Sequence, residues 1–405
     1  MLSALSKKAL GIFCVVGVSC AGLYGFRFFT HAVPPNFKCA GLEEKGFYAG
    51  NIVATVEGNS GYKIDTLSVK IDGKAAPGFP AKIKSKNFSR CLKVDTQELG
   101  EGKHTCEMVL TDASFNANES RSKFRFSVDN KPFEASFKKP EYEIKQGNTI
   151  HVKINANKSI AGASVEFLSR EYPCCQESTA YETTFEAFVP VDCDESAATH
   201  LLTANVVDKV GNKVELSSPV NIEGVEFPNQ MGFYVPPQKL EDERDVSVSN
   251  SVLSNALEKW LQDSPKEKLW SGKFELPTVV KRLSTPYGER RVSPERGKYL
   301  HKAVDIVNSP KSVVWASQSG KVIIKDRFLL SGNTVVIDHG LGVFTEYFHL
   351  DSFADIEVGQ MVKKGNPVGK LGKTGYAAGY HLHWALLVNN QPINPMEWTE
   401  QGFWA

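Results

Sequence analysis

The stretch GKTGYAAGYHLHWALL, Gly372 to Leu387, decides how the last third of this chain folds. On an extended strand, alternate side chains share a face, so His381 and His383 point one way while Leu382 and Trp384 turn the other way and pack. The glycines before them read as a turn. Similar runs lie upstream: GKVIIKD from Gly320, NTVVIDHG from Asn333, VFTEYFHL from Val343 and QMVKKGNPVGKLGKTG from Gln360. Period-two runs broken by glycine predict a compact, mostly antiparallel β domain over residues 268–405.

Between about Lys38 and Glu223 the same alternation recurs in TLSVKIDGK, FRFSVDN, IHVKINAN and LLTANVVDKVGN. An internal repeat is visible here. KHTCEMVLTDASFN (Lys103 to Asn116) lies over THLLTANVVDKVGN (Thr199 to Asn212), pairing His104 with His200, Asp112 with Asp208 and Asn116 with Asn212 at a shift of 96 residues. Two tandem β-sandwiches follow, over 38–130 and 131–224, each of about 95 residues. They resemble bacterial Ig-like domains, and the resemblance implies a spacer with room for a protein partner. His104 and His200 read as strand residues. Residues 225–267 form a connector, FPNQMGFYVPPQKLEDERD, followed by a helix in which Val252, Leu253, Ala256, Leu257, Trp260 and Leu261 share a face, with Ser249 or Asn250 as N-cap.

The gross composition excludes one class of partner. Lys plus Arg number 47 against 46 Asp plus Glu, so no basic field recruits nucleic acid. The N-terminus does name an environment: Lys7 and Lys8 precede ALGIFCVVGVSCAGLYGF, so residues 1–32 read as a signal anchor or a cleaved signal peptide that exports the remainder. Cleavage after Ala21 or Ala32 is the alternative to anchoring. Of eight cysteines, six lie beyond this segment (Cys39, Cys91, Cys106, Cys174, Cys175 and Cys193), an even number in a disulfide-permissive compartment. Local bridges are expected from Cys91 to Cys106 and from Cys174 or Cys175 to Cys193.

Five of the nine histidines (His301, His339, His349, His381 and His383) fall in the last quarter. In HKAVDIVN, an extended chain would turn His301, Ala303 and Asp305 to one face, with a small residue in the middle. Two imidazoles and a carboxylate make a three-ligand set suited to Zn²⁺ with a fourth position open to water.

The segment from about Pro277 to Trp398 resembles the M23 metallopeptidases, the lysostaphin and LytM type. The matching stretches are STPYGERR, HKAVDI, VVWASQSGKV, NTVVIDHGLGVFTEYFHL, VGQMVKKGNPVGKLGKTG and HLHW. The resemblance implies that His301, Asp305 and His383 hold one zinc ion, that His349 and His381 activate water and stabilise the tetrahedral intermediate, and that His339 is structural. It also implies an enzyme that cuts peptide cross-links of peptidoglycan, which the N-terminal segment would place in the periplasm or outside the cytoplasm, anchored in the inner membrane if that segment is retained. The alternative is a non-catalytic regulator that binds and activates cell-wall amidases, as relatives that have lost ligands do. This chain departs from the family at Ala303, where glycine is usual, and around HLH, where Ala378 and Tyr380 precede and Trp384 and Ala385 replace the usual Phe-Glu. A methyl beside the metal and an altered substrate fit are the expected consequences. Latent relatives also suggest that the arm from Phe227 to Asp245 folds over the cleft.

Overall fold

The computed structural model describes residues 25–177, 183–231, 252–293 and 297–400. Most of the apolar N-terminal segment, the greater part of the charged arm, and Ser249 and Asn250 lie outside the described residues. Among the described residues, no helix is long and apolar enough to cross a membrane. The chain is mainly β and divides into two compact units, Met1–Pro132 and Phe133–Ala405.

In the first unit, seven strands join one sheet whose spine is the 21-residue strand Asn51–Ile71. That strand pairs with Asn36–Ala40 along its first half, with Ala81–Asp95 from Asn51 as far as Leu67, and with Gly102–Asp112 from Ile64 onward. Alternation buries Ile52, Ala54 and Val56, then Leu67 and Val69, against Leu92, Met108 and Leu110.

The second unit begins with a two-sheet arrangement over residues 135–223. One sheet orders Cys175–Gln176, Thr184–Pro190, Thr149–Ala156 and Ala135–Phe137; the other orders Arg170–Pro173, Ile160–Phe167, Thr199–Asp208, Lys213–Glu223 and Tyr142–Lys145. The repeated Asp-to-Asn pattern has a common physical basis. Asp208 accepts from the Val210 and Asn212 amides, and Asp112 accepts from those of Ser114 and Asn118, so each buried carboxylate ties a hairpin turn, although Asn118, and not the Asn116 paired with Asn212 at the 96-residue shift, fills the equivalent place.

Ten strands between Arg282 and Ile393 form an antiparallel sheet, with Glu289–Ser293 and Gly297–His301 outside it. Its main path runs Arg282–Thr285, Val304–Val307, Leu382–Val388, Val343–Phe353, Gly332–Asp338, Gly320–Phe328 and Met361–Val362. Trp384, Leu382, Tyr347, Val335 and Ile337 fill one face. The helix at 252–263 covers the other, with Leu253 and Leu257 buried and Ala256, Trp260 and Leu261 packed on Ile323, Val336, Phe344 and Leu387. Val252 stays exposed. A short helix, Pro395–Glu400, follows where only strands were expected.

The second sandwich differs from a free spacer. Its Phe188 packs with Trp270 and Trp398, and Phe274 lies against both tryptophans. Glu186, buried, pairs with Lys268 at 2.7 Å and with His151 at 2.7 Å, and Glu397 accepts from the Thr149 amide at 3.0 Å.

The expected disulfides are corrected: all six of these cysteines are free thiols. Cys106 points into the core while Cys91 is exposed, so the sheet separates their sulfurs. Cys174 packs on the core of the second sandwich, whereas Cys193 is buried beside Tyr287 in the core beneath the ten-stranded sheet.

Candidate metal centre

Two neighbouring strands bring the first pair of donors together. Val304–Val307 runs antiparallel to Leu382–Val388 with Asp305 directly opposite His383, which sets their Cβ atoms about 5 Å apart. His301 arrives by another route. It ends the strand Gly297–His301, part of a separate three-stranded sheet, and the chain leaves extended structure at Lys302 and Ala303 before Asp305. The continuous strand expected over His301–Asp305 is therefore broken, and a bend between two sheets makes the approach.

The result is a tight triangle. His301 Nε2 lies 3.2 Å from His383 Nδ1 and 3.2 Å from Asp305 Oδ1, and His383 Nδ1 lies 3.1 Å from the same oxygen. Ligands about 2.0 to 2.1 Å from a tetrahedral zinc ion stand roughly 3.3 Å apart, so the donor set fits such an ion in both chemistry and spacing. Burial opposes ionisation of Asp305, yet hydrogen bonds from His301 and His383 hold its carboxyl well below the usual carboxylate range. Burial lowers the His383 imidazole, which favours the neutral form a metal needs.

Ala303 lies one alternation from Asp305, but its methyl packs into the apolar cluster with Ala385 and Phe344 under the helix at 252–263. The departure from glycine is absorbed there. Opposite Ala385 stands Glu346, so a carboxyl occupies the neighbouring strand where the family usually carries one at position 385.

His349 and His381 stand beside this triangle, with ring centroids 4.8 Å apart. His349 holds a left-handed backbone, φ 61°, uncommon for a side chain with a Cβ. Its amide donates to Ser331 O, and its Nδ1–H donates to Thr374 O at 2.8 Å. A carbonyl only accepts, so Nδ1 carries the proton and Nε2 the lone pair. Burial, then the charges of His383 and His381, push His349 down to about 3. His381 is fixed the same way: Nδ1–H donates to Gly379 O at 2.9 Å, and Nε2 lies 3.8 Å from Asp305 Oδ1. The Phe348 ring stacks on His383 at 5.0 Å.

His339 is elsewhere, fully buried, with Nδ1–H donating to Ser319 O and Nε2 accepting from Thr345 Oγ1, both at 2.8 Å. Both nitrogens are engaged in structural hydrogen bonds. Sequence reasoning missed Glu289 and Arg291. Arg291 Nη2 lies 3.8 Å from Asp305 Oδ2 and donates to Thr285 Oγ1 at 2.6 Å, while its Nε donates to Glu289 Oε1 at 3.0 Å. The charged pair in STPYGERR was the available signal, because only the hairpin pairing of Glu289 with His301 turns it toward the site.

Residues 299–395 match the model of Peptidase family M23. That segment is similar to M23 peptidases. A DD-carboxypeptidase/endopeptidase, Mpg, of Neisseria meningitidis is 37% identical over 30% of this chain and 27% of its own length. Two peptidoglycan DD-endopeptidases of Vibrio cholerae, ShyB and ShyA, are 29% and 33% identical over 31% and 29% of this chain and 29% and 27% of their own lengths. The chain thus covers little more than a quarter of the length of these relatives.

Proposed function

We propose that this chain is a zinc metalloendopeptidase that hydrolyses peptide cross-links of bacterial peptidoglycan, with His301, Asp305 and His383 as metal ligands and His349 and His381 as catalytic residues. The observation that carries the reading is the donor triangle with sides of 3.1 to 3.2 Å beside two imidazoles of fixed tautomer. The peptidoglycan peptidases named among the relatives support the substrate. Zn²⁺ bound there supplies Lewis acidity toward a scissile carbonyl and toward water.

The remaining chemistry belongs to the protein. Nδ1 of His349 and of His381 each donates to a backbone carbonyl, so Nε2 is the nitrogen each ring turns to the cleft, and there one of them takes a proton from the attacking water. Once protonated, the same nitrogen returns that proton to the leaving amine. The other imidazole can bind the oxyanion through Nε2 only after that nitrogen has itself taken a proton from bulk water. Thr374 O and Gly379 O hold the two rings in place, so neither reorients as charge develops.

Export through the N-terminal apolar segment and work in the cell envelope complete the proposal, with that segment as membrane anchor and the sandwiches as elements open to a protein partner. The test digests purified peptidoglycan with the chain and with His383→Ala, with and without zinc, and resolves the fragments by chromatography and mass spectrometry. Zinc-dependent loss of cross-linked dimers, absent in the variant, is expected. Equal inertness of both proteins with the parent fully zinc-loaded would favour the amidase regulator.

A further inference from the structure

One carboxylate of the second sandwich reaches both chain segments that carry the candidate ligands. Asp192 follows the strand Thr184–Pro190 and receives Lys302 Nζ on Oδ1 at 2.8 Å and on Oδ2 at 2.7 Å. Lys302 lies in the bend between His301 and Asp305, where the chain passes from one sheet to the other. Gln391 Nε2 donates to Asp192 Oδ2, and Gln391 opens the hairpin return that pairs with the strand carrying His383.

The tongue that carries Asp192 is itself well seated. Cys193 is buried against Tyr287, whose hydroxyl donates to Pro392 O at 3.0 Å, and the Gly147 amide donates to Val191 O. Gly147, φ 84°, lies so close to the Tyr287 ring that an added Cβ would approach it to 2.6 Å. Asn394 N donates to Gly147 O at 2.7 Å. Sandwich and peptidase sheet thus interlock around Asp192.

We propose that Asp192 is a positioning residue for the metal centre, acting through Lys302 and Gln391, so that the second sandwich sets the spacing of His301, Asp305 and His383. The bend at Lys302 and Ala303 has no ladder partner to fix it, since it lies between two strands. The ion pair supplies that constraint from outside the sheet. Asp192 and Asp194 with Cys193 also group donor atoms closely, but Asp192 is engaged by a lysine and a glutamine, which makes the cluster a clasp.

This inference rests on the metal-centre reading, and one experiment separates the two. Zinc affinity of the full chain is measured by competition with a chromophoric chelator for the parent, Asp192→Asn, Lys302→Gln and the double variant, alongside thermal unfolding of the metal-free proteins. Removing an outer partner of a ligand set lowers metal affinity by roughly tenfold or more. Each single variant is expected to lose about that factor, and the double variant no more than either, because both break one clasp. Arg170→Ala, which removes a separate contact to Gln391, should leave zinc affinity at the parent value. Affinity within twofold of the parent in both single variants, whatever the unfolding temperature does, overturns the proposal. A parent that binds no zinc overturns the metal-centre reading, and this inference with it. Lys302→Gln alone decides the matter if Asp192→Asn does not fold, since Lys302 keeps about a third of its side chain in solvent.

Discussion

His383 and His381 look alike in sequence, one residue apart on the same face, but their nitrogens have different occupations. His383 turns Nδ1 toward Asp305 and His301, whereas His381 spends Nδ1 on the Gly379 carbonyl and keeps Nε2 available. His383→Ala should therefore abolish both zinc binding and hydrolysis, measured by metal content after dialysis and by release of soluble fragments from peptidoglycan. His381→Ala and His349→Ala should keep stoichiometric zinc and lose about 10²- to 10⁴-fold in kcat, the usual worth of a proton-transfer group. A variant at His349 that loses its metal would reassign that residue to the ligand set. The triangle was legible in the sequence through the family resemblance: HxxxD and HxH taken singly read as ordinary strand pairs, and spacing alone does not choose His383 over His381. What was not legible was the route of His301, since nothing local to HKAVDI announces that the chain changes sheets at Lys302. Arg291 and Glu289 were hidden for the same reason: their part depends on a hairpin pairing with His301, which is a long-range fact.

At the scale of elements, the helix at 252–263 was readable from its apolar face, and its partner was not. It covers the sheet face that holds Phe344 and Phe348, and on that face, between them in alternation, sits Glu346. Burial alone pushes the Glu346 carboxyl up to about 8, and burial likewise pushes Glu397 up to about 8 at the junction with the sandwich. Both carboxyls hold their proton more tightly folded than unfolded, where glutamate titrates near 4.3. The stability they allow is complete below about pH 4.3 and is lost as pH rises toward 8, at up to about 1.4 kcal/mol per pH unit and per group. Denaturant titrations of the metal-free protein at about pH 7 and pH 8, above the range in which buried histidines with lowered values contribute, should show this loss, with a smaller loss in Glu346→Gln and the smallest in Glu346→Gln/Glu397→Gln. An unchanged pH slope in the double variant would place the titrating groups elsewhere. In the same assay Leu257→Ala should cost about 2 to 5 kcal/mol, as for other buried leucines truncated in a packed core, whereas Val252→Ala on the exposed side should cost almost nothing.

For the whole molecule, the periodicities read along the chain place a boundary near residue 224, yet the chain from Phe133 to Ala405 forms one compact unit. Periodicity within each module reports the faces of its own sheets. It is silent about a second contact made by Phe188, which lies on a strand and reads as an ordinary alternating residue. Phe188, Trp270, Phe274 and Trp398 are all nearly inaccessible, and removal of the sandwich would return their facing surfaces to water. Each large aromatic re-exposed costs about 1.5 to 3 kcal/mol, and Glu186 and Lys268 would also lose each other. Residues 133–405 should unfold in a single calorimetric transition, while residues 252–405 alone, which keep the covering helix, should melt lower by about 10 °C or more, given roughly 2 to 4 °C per kcal/mol for a chain of this size. Two separate transitions in the longer piece would show that the sandwich docks without sharing the cooperative core. A single transition, with the shorter piece aggregating or binding zinc more weakly, would identify the peptidase and its neighbouring sandwich as one folding unit.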